Sequence, residues 1–351
     1  MIPKYYEFLN KTKILSGYRA MENIPYELKI RGAGRSMVIA GKGVQEQGLL
    51  KKLSAAINDA EVIIGSTVQC PEPEQVSAET IKQVISEFKE TGCDSLIALG
   101  DGSVFELGNA VGPAVFIVIP LAVSGLESAG EPDVAVLDMR MVLRQTPRYI
   151  ASCSMDILGH AIETYTCLQK NPVSDAYAFS AINLIRENID KAVRYPGNRK
   201  ALYGLSNAAA LSTIAFKNSM GGFAHALAYG IEKQCGVSCR EAIGIILPYC
   251  MDANMIKLDE YYGELLLPFS GAEIYSDTPY HERGRKLVQN IRNMSADFHA
   301  RAGLPVCLSE AGVKRSDFDK ITSACLNNIS LLYNPLEIKE EDVGNILNMA
   351  Y

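Results

Sequence analysis

The sequence predicts an α/β amino-terminal domain with a mostly parallel sheet, followed by an all-helical carboxy-terminal domain. Up to about residue 140, short β-branched runs alternate with an amphipathic helical pattern, as expected of a parallel sheet covered on both faces. From about Ser154 onward, long helical periodicities take their place. A chain of 351 residues with 48% hydrophobic content fills two cores, so we expect residues 1–148 and 149–351 to form separate domains.

The strand-like runs are Met37–Ala40, Val62–Ile64, Leu96–Leu99, Val115–Ile119 and Val134–Leu137, each the length of a short buried strand. Between the second and third lies Glu74–Glu90, where Ile81, Val84, Ile85 and Phe88 fall at three- and four-residue spacing. That spacing makes one apolar helix face. In the second half the periodicity predicts helices over Met155–Leu168, Ser174–Tyr195, Lys200–Phe216, Gly222–Ile231 and Tyr280–Ala302.

Composition narrows the function. A net charge of −6 and dispersed basic residues give no positive field for a phosphate backbone, so nucleic acid is not an expected partner. No run of 18 apolar residues is free of charge, and Met1–Lys13 lack the apolar core of a secretion signal, so we expect a cytoplasmic protein with no membrane partner. Nine cysteines stand widely spaced with no C-x-x-C pair; that pattern suits reduced, mostly buried thiols rather than a disulfide framework.

Two turns are candidate cofactor contacts. Gly100-Asp101-Gly102-Ser103 follows one strand run and precedes a helix starting near Val104. Its glycines permit close backbone approach and its orphan amides suit a phosphate, although a plain chain reversal explains the glycines equally well. Asp101 would repel a phosphate if it pointed inward. The first run ends in Ala40-Gly41-Lys42-Gly43, with no acidic residue to accept hydrogen bonds from a ribose. Gly41 leaves room for a 2′-phosphate and Lys42 offsets its charge, which favours NADP over NAD; a surface turn is the competing reading.

Asp156 and His160 stand four residues apart in a helical pattern, so both project from one face. His225 lies on a second apolar helix and Cys239 follows 14 residues later. One carboxylate, two imidazoles and a thiolate form a ligand set for a divalent ion if the helices converge. Two core histidines and a buried cysteine are the alternative. Glu163 has two readings as well, one orienting a ligand imidazole and the other an ordinary acidic residue at a helix end. His281 and His299 read as ordinary polar positions.

The ordered segments Ser154–Glu163, Asn171–Asp175 and Ala215–His225 resemble the iron-containing alcohol dehydrogenase family. Tyr6–Phe8, Thr12–Ile14, Leu99–Ser103 and Ile246–Pro248 extend the resemblance over nearly the whole chain. It implies a nicotinamide dinucleotide in the first half and a divalent metal in the second, with Asp156, His160 and His225 as ligands. The family's fourth ligand is a histidine; Cys239 stands there, shifting the expectation toward zinc with iron as the second choice. Cys235 does not match the family spacing.

The chain also departs from that pattern. Asp101 replaces a glycine, Glu106 and Asn109 replace an aspartate and a lysine, Pro120–Ser128 replaces a threonine- and glycine-rich segment, and a hairpin before Val134 is shortened. Tyr229 stands where many members have another histidine. The resemblance implies an alcohol dehydrogenase or aldehyde reductase acting on a small alcohol or aldehyde, with a homodimer as the candidate assembly. A catalytically impaired homologue serving as a binding or assembly subunit is the alternative; binding of NADPH separates the two.

Overall fold

Alternating strands and helices build the first half. The computed structural model describes residues 3–57, 62–71, 76–123 and 126–351. Two compact units divide the chain, one formed by Asn10–Arg144 and the other by Gln145–Tyr351 with the described residues of Met1–Leu9. Glu74, within the expected helix, and Ser124 and Gly125, within the replaced segment, lie outside the described residues, as does Met1.

In the first unit the strands are β1 (Lys13–Gly17), β2 (Arg35–Ala40), β3 (Ile63–Gln69), β4 (Ser95–Gly100), β5 (Val115–Pro120) and β6 (Val134–Asp138). They pair in parallel throughout, in the order β1-β6-β5-β4-β2-β3. β4, β5 and β6 are buried along their whole length, which is why they read as unbroken apolar runs. The edge strands β1 and β3 alternate with solvent. That alternation hid β1 from the sequence reading, since only Ile14 and Leu15 mark it.

Four helices connect the strands: α1 (Ile24–Ile30), α2 (Leu49–Ile57), α3 (Ala78–Glu90) and α4 (Gly102–Val111). The α3 helix starts where the Ser77 side chain accepts from the Thr80 amide, a local end signal that the apolar spacing does not contain. Because β2 has β3 on one side and β4 on the other, successive connections leave in opposite directions at the β2–β4 junction. Ligands bind at such switch points in open α/β sheets, outside the carboxyl ends of the strands.

The second unit is helical: α5 (Pro147–Thr166), α6 (Pro172–Arg194), α7 (Arg199–Ser219), α8 (Phe223–Cys235), α9 (Cys239–Ser270), α10 (Ala272–Asp277), α11 (Arg283–Ala302), α12 (Phe318–Leu326) and α13 (Glu340–Met349). Side chains of Thr146, Asn171, Asn198 and Ser238 cap four of them, and Pro147 and Pro172 occupy the first turn of α5 and α6, where a missing amide hydrogen costs nothing. α5 is buried almost all round and packs against α6, α7, α8 and α9. Its buried polar residues, Asp156, His160 and Glu163 among them, are thereby held away from water. No described helix is long and apolar enough to cross a membrane.

Candidate functional site

Helical geometry places Asp156 and His160 one turn apart on α5, with His160 Nδ1 3.8 Å from Asp156 Oδ2. The first turn of α8 adds His225, whose Nε2 lies 3.7 Å from Asp156 Oδ1. Gly159 allows this approach, because a Cβ there would sit 3.2 Å from His225 Cε1 and 3.0 Å from Ile243. The imidazoles stack with centroids 3.9 Å apart, and Phe216 closes the edge of His160 at 4.4 Å. One ligand atom from each of Asp156, His160 and His225 lies within 4.8 Å of the others.

These residues are buried, yet they do not satisfy one another. Neither 3.7 nor 3.8 Å is a hydrogen bond, and His225 Nε2 has no hydrogen-bond partner among the described atoms. A buried polar nitrogen without a partner is costly. A divalent cation bound by the carboxylate and both imidazole lone pairs would remove that cost, so the donor set fits a metal.

The electrostatics agree. Burial alone would raise the Asp156 carboxyl, but the His160 and His225 imidazoles outweigh it and hold the carboxyl below its ordinary value. Burial, reinforced by the neighbouring His225, pushes His160 down to about 4. Burial works against charge on His225 too, but Glu163 and Asp156 overcome it and raise the imidazole to about 9.

The predicted set is brought together in three of its four members. Cys239 falls outside the cluster among the described residues. It is the first residue of α9, its amide bonded to Glu232 Oε1 at 3.1 Å. Burial, then the charges of Asp156, Glu232 and Glu163, push its thiol well above the ordinary value. A fourteen-residue step does not fix the rotation of a new helix's first turn.

The remaining candidates take ordinary places. Cys235 Sγ faces Asp317 at 3.9 Å, His281 is exposed beside Glu282, and His299 Nδ1 pairs with the Leu304 carbonyl at 3.0 Å. Tyr229 is half-exposed with its ring 6.2 Å from that of His225. Glu163 is buried, with Oε2 2.6 Å from His225 Nδ1. It follows His160 by three residues on α5, and its partner is the distant His225 rather than the neighbouring His160.

In the sheet unit the two glycine turns meet at the β2–β4 junction. The Gly41 amide donates to the Leu99 carbonyl at 2.9 Å, and a Cβ on Gly41 would lie 3.6 Å from Gly100 Cα and 3.3 Å from Val104. A Cβ on Gly100 would come within 2.4 Å of Val104 Cγ2, so β4 can run into α4 this tightly only with glycine. Asp101 precedes α4 without capping it, and is exposed, as is Lys42; Gly102 and Ser103 form the helix's first turn. This glycine cradle at a helix amino terminus is of the form that accepts a dinucleotide phosphate.

The comparisons agree with this arrangement. A family model described as "Fe-containing alcohol dehydrogenase family, C-terminal" matches residues 150–351, and one described as "Iron-containing alcohol dehydrogenase" matches residues 11–116. The 1,3-propanediol dehydrogenase of Citrobacter freundii is 23% identical over 394 aligned residues, covering 99% of both chains. Among solved structures, a 1,3-propanediol oxidoreductase superposes with a TM-score of 0.88 at 20% identity, covering 99% of this chain and 100% of the other. An iron-containing alcohol dehydrogenase from Thermococcus thioreducens superposes with a TM-score of 0.83 at 22% identity, covering 98% and 99%.

Proposed function

Because the chain belongs to the iron-containing alcohol dehydrogenase family, we propose that it is a metal-dependent alcohol dehydrogenase or aldehyde reductase moving hydride between NAD(P)(H) and a small alcohol or aldehyde. The observation that carries this reading is the buried Asp156, His160 and His225 cluster with its unpartnered His225 Nε2. A divalent ion held there supplies Lewis acidity toward the substrate oxygen. The chain's own residues do the rest. Asp156 supplies the negative charge that retains a cation, while burial of the three side chains keeps competing water away and strengthens each charge.

Gly41 and Gly100 to Ser103 would hold the dinucleotide, with backbone amides at the start of α4 available to its phosphates. Lys42 supplies the charge that favours NADP over NAD. A dinucleotide held there would supply the hydride acceptor for alcohol oxidation, and with the alcohol proton leaving to water no side chain need be a permanent proton acceptor.

Cys239 is the proposed fourth ligand. Burial, then the charges of Asp156, Glu232 and Glu163, raise its thiol; coordination to a cation would reverse that balance, because a coordinating thiol is deprotonated outright. This makes zinc the favoured metal and iron the second choice. The acidic charge and the lack of a membrane-spanning helix among the described residues suit work in the cytoplasm.

The test is to load the purified protein separately with zinc and ferrous iron, then measure NADPH and NADH binding and aldehyde reduction. Metal-dependent aldehyde reduction that prefers NADPH is expected. A folded, metal-loaded protein that binds neither cofactor would instead be the binding or assembly subunit.

A further inference from the structure

From the geometry around α8 we infer that Glu163 is the positioning residue of the metal site, fixing His225 by holding both its ring and the helix that carries it. The inference rests on the proposed metal-binding role of Asp156, His160 and His225 and extends it to a residue that does not touch the ion.

The α8 helix starts at Phe223 after Gly222, and Gly222 has no side chain with which to cap it. Its first amides therefore need an outside acceptor. Glu163 reaches across from α5 to supply one. Oε1 accepts from the Ala224 amide at 2.5 Å, and Oε2 accepts from the Gly222 and His225 amides at 3.0 and 3.3 Å. The same Oε2 lies 2.6 Å from His225 Nδ1.

Each contact constrains the next. A carboxylate only accepts hydrogen bonds, so at 2.6 Å His225 Nδ1 must carry a hydrogen. The free lone pair of the neutral ring is then on Nε2, the atom that faces Asp156. The three backbone bonds fix α8's first turn relative to α5, which also carries Asp156 and His160. One side chain thus determines which nitrogen of His225 is available and where that nitrogen sits. A negative charge on the far side of the ring also makes Nε2 a better donor to a cation.

Gly222 belongs to this device. A Cβ there would sit 3.0 Å from Glu163 Oε1 and 3.2 Å from Asn334 Oδ1. Asn334 is paired with Asn254 through two hydrogen bonds of 3.0 Å and contacts neither imidazole through any of its hydrogen bonds. It borders the carboxylate without joining the ligand chain.

The experiment measures zinc affinity by chelator competition, and the absorption spectrum of the cobalt-loaded protein, for the parent, Glu163→Gln, Gly222→Ala and Asn334→Ala. Glutamine keeps the size but loses the charge, and it sets an amide N–H₂ against one of the donors. We expect folded Glu163→Gln to bind zinc roughly 10–100-fold more weakly with an altered cobalt spectrum. Gly222→Ala, which presses on the carboxylate without removing it, should lose affinity in the same direction by less. Asn334→Ala should lose thermal stability but keep the parental affinity and spectrum.

Parental affinity and spectrum in Glu163→Gln overturn the inference. If that variant fails to fold, parental affinity in Gly222→Ala overturns it instead. An equal loss in Asn334→Ala also overturns it, since any disturbance of that region would then suffice. A parent that takes up neither zinc nor cobalt rejects the metal site itself, a result distinct from all of these.

Discussion

Asp138, at the end of β6, and Asp156, in the middle of α5, are both buried carboxylates, but their surroundings differ in kind. Asp138 accepts from the Arg140 amide at 2.9 Å, from Arg140 Nε and Nη2 at 3.0 and 2.7 Å, and from the Met21 amide at 3.2 Å. Arg140 also forks onto Glu22 at 2.8 and 2.9 Å. Asp156 instead faces imidazole nitrogens at 3.7 and 3.8 Å. The first charge is neutralised by the chain itself, and holds the short turn at Ala20–Asn23 to the end of β6. The second is arranged around a place for something the chain does not supply. Hydrogen-bond satisfaction, rather than burial, separates a structural charge from a functional one.

The largest effect that this contrast predicts is on metal binding. Asp156→Ala should lose zinc affinity by at least roughly a hundredfold, since it removes the cluster's only carboxylate ligand. Zinc at 100 times the parent's dissociation constant should stabilise the parent by about 2.7 kcal/mol and the variant by no more than about 0.4 kcal/mol in a melting experiment. pH sharpens the test. With His225 raised to about 9, the ion must displace a proton below that pH, so parental affinity should weaken as pH falls from 9. Zinc stabilisation equal in both proteins would place the metal elsewhere.

Arg140→Ala probes the satisfied charge and should give the next largest effect. It leaves Asp138 buried without its main partner, a loss of roughly 3 kcal/mol, measured by denaturant unfolding, with zinc affinity unchanged. Burial would raise the Asp138 carboxyl, but Arg140 and the Met21 amide outweigh it and hold the carboxyl below its ordinary value. A depressed carboxylate stabilises the fold above its unfolded value of ~3.9, and that contribution is lost as pH falls through the folded value. The parent should therefore lose stability below about pH 4 more steeply than the variant. Parallel acid limbs would show that Asp138 is not the group responsible.

The same contrast explains what could be read from the sequence. Buried strands such as Val115–Pro120 are written in residues that fit nowhere else, whereas β1 shares its two apolar residues with any surface turn. α9 runs 32 residues through Pro248 and Pro268, two residues that normally end a helix, so its continuity rests on packing that no local pattern records. Asp156, His160 and Glu163 declare themselves by sharing one face of α5. The partner of Glu163 does not, because the fold sets the distance across to Gly222 and His225. At Cys239 the fourteen-residue spacing was visible, but the orientation of a helix's first residue was not.

The smallest expected effect concerns the sheet unit's one proposed specificity charge. Gly41 and Lys42 follow β2 at the switch point, and Lys42 is exposed, so water and salt screen any phosphate it meets. A single exposed ion pair contributes roughly 0.2–1 kcal/mol, which corresponds to about a 1.4- to 5-fold change in affinity. Lys42→Ala should weaken NADPH binding within that range and leave NADH binding unchanged. Raising salt should shrink the parent's preference for NADPH toward that of the variant. Titrating both cofactors into both proteins at low and high salt decides the matter. An equal loss for NADH would mean that Lys42 meets the shared pyrophosphate or merely supports the turn, and the 2′-phosphate assignment would be withdrawn.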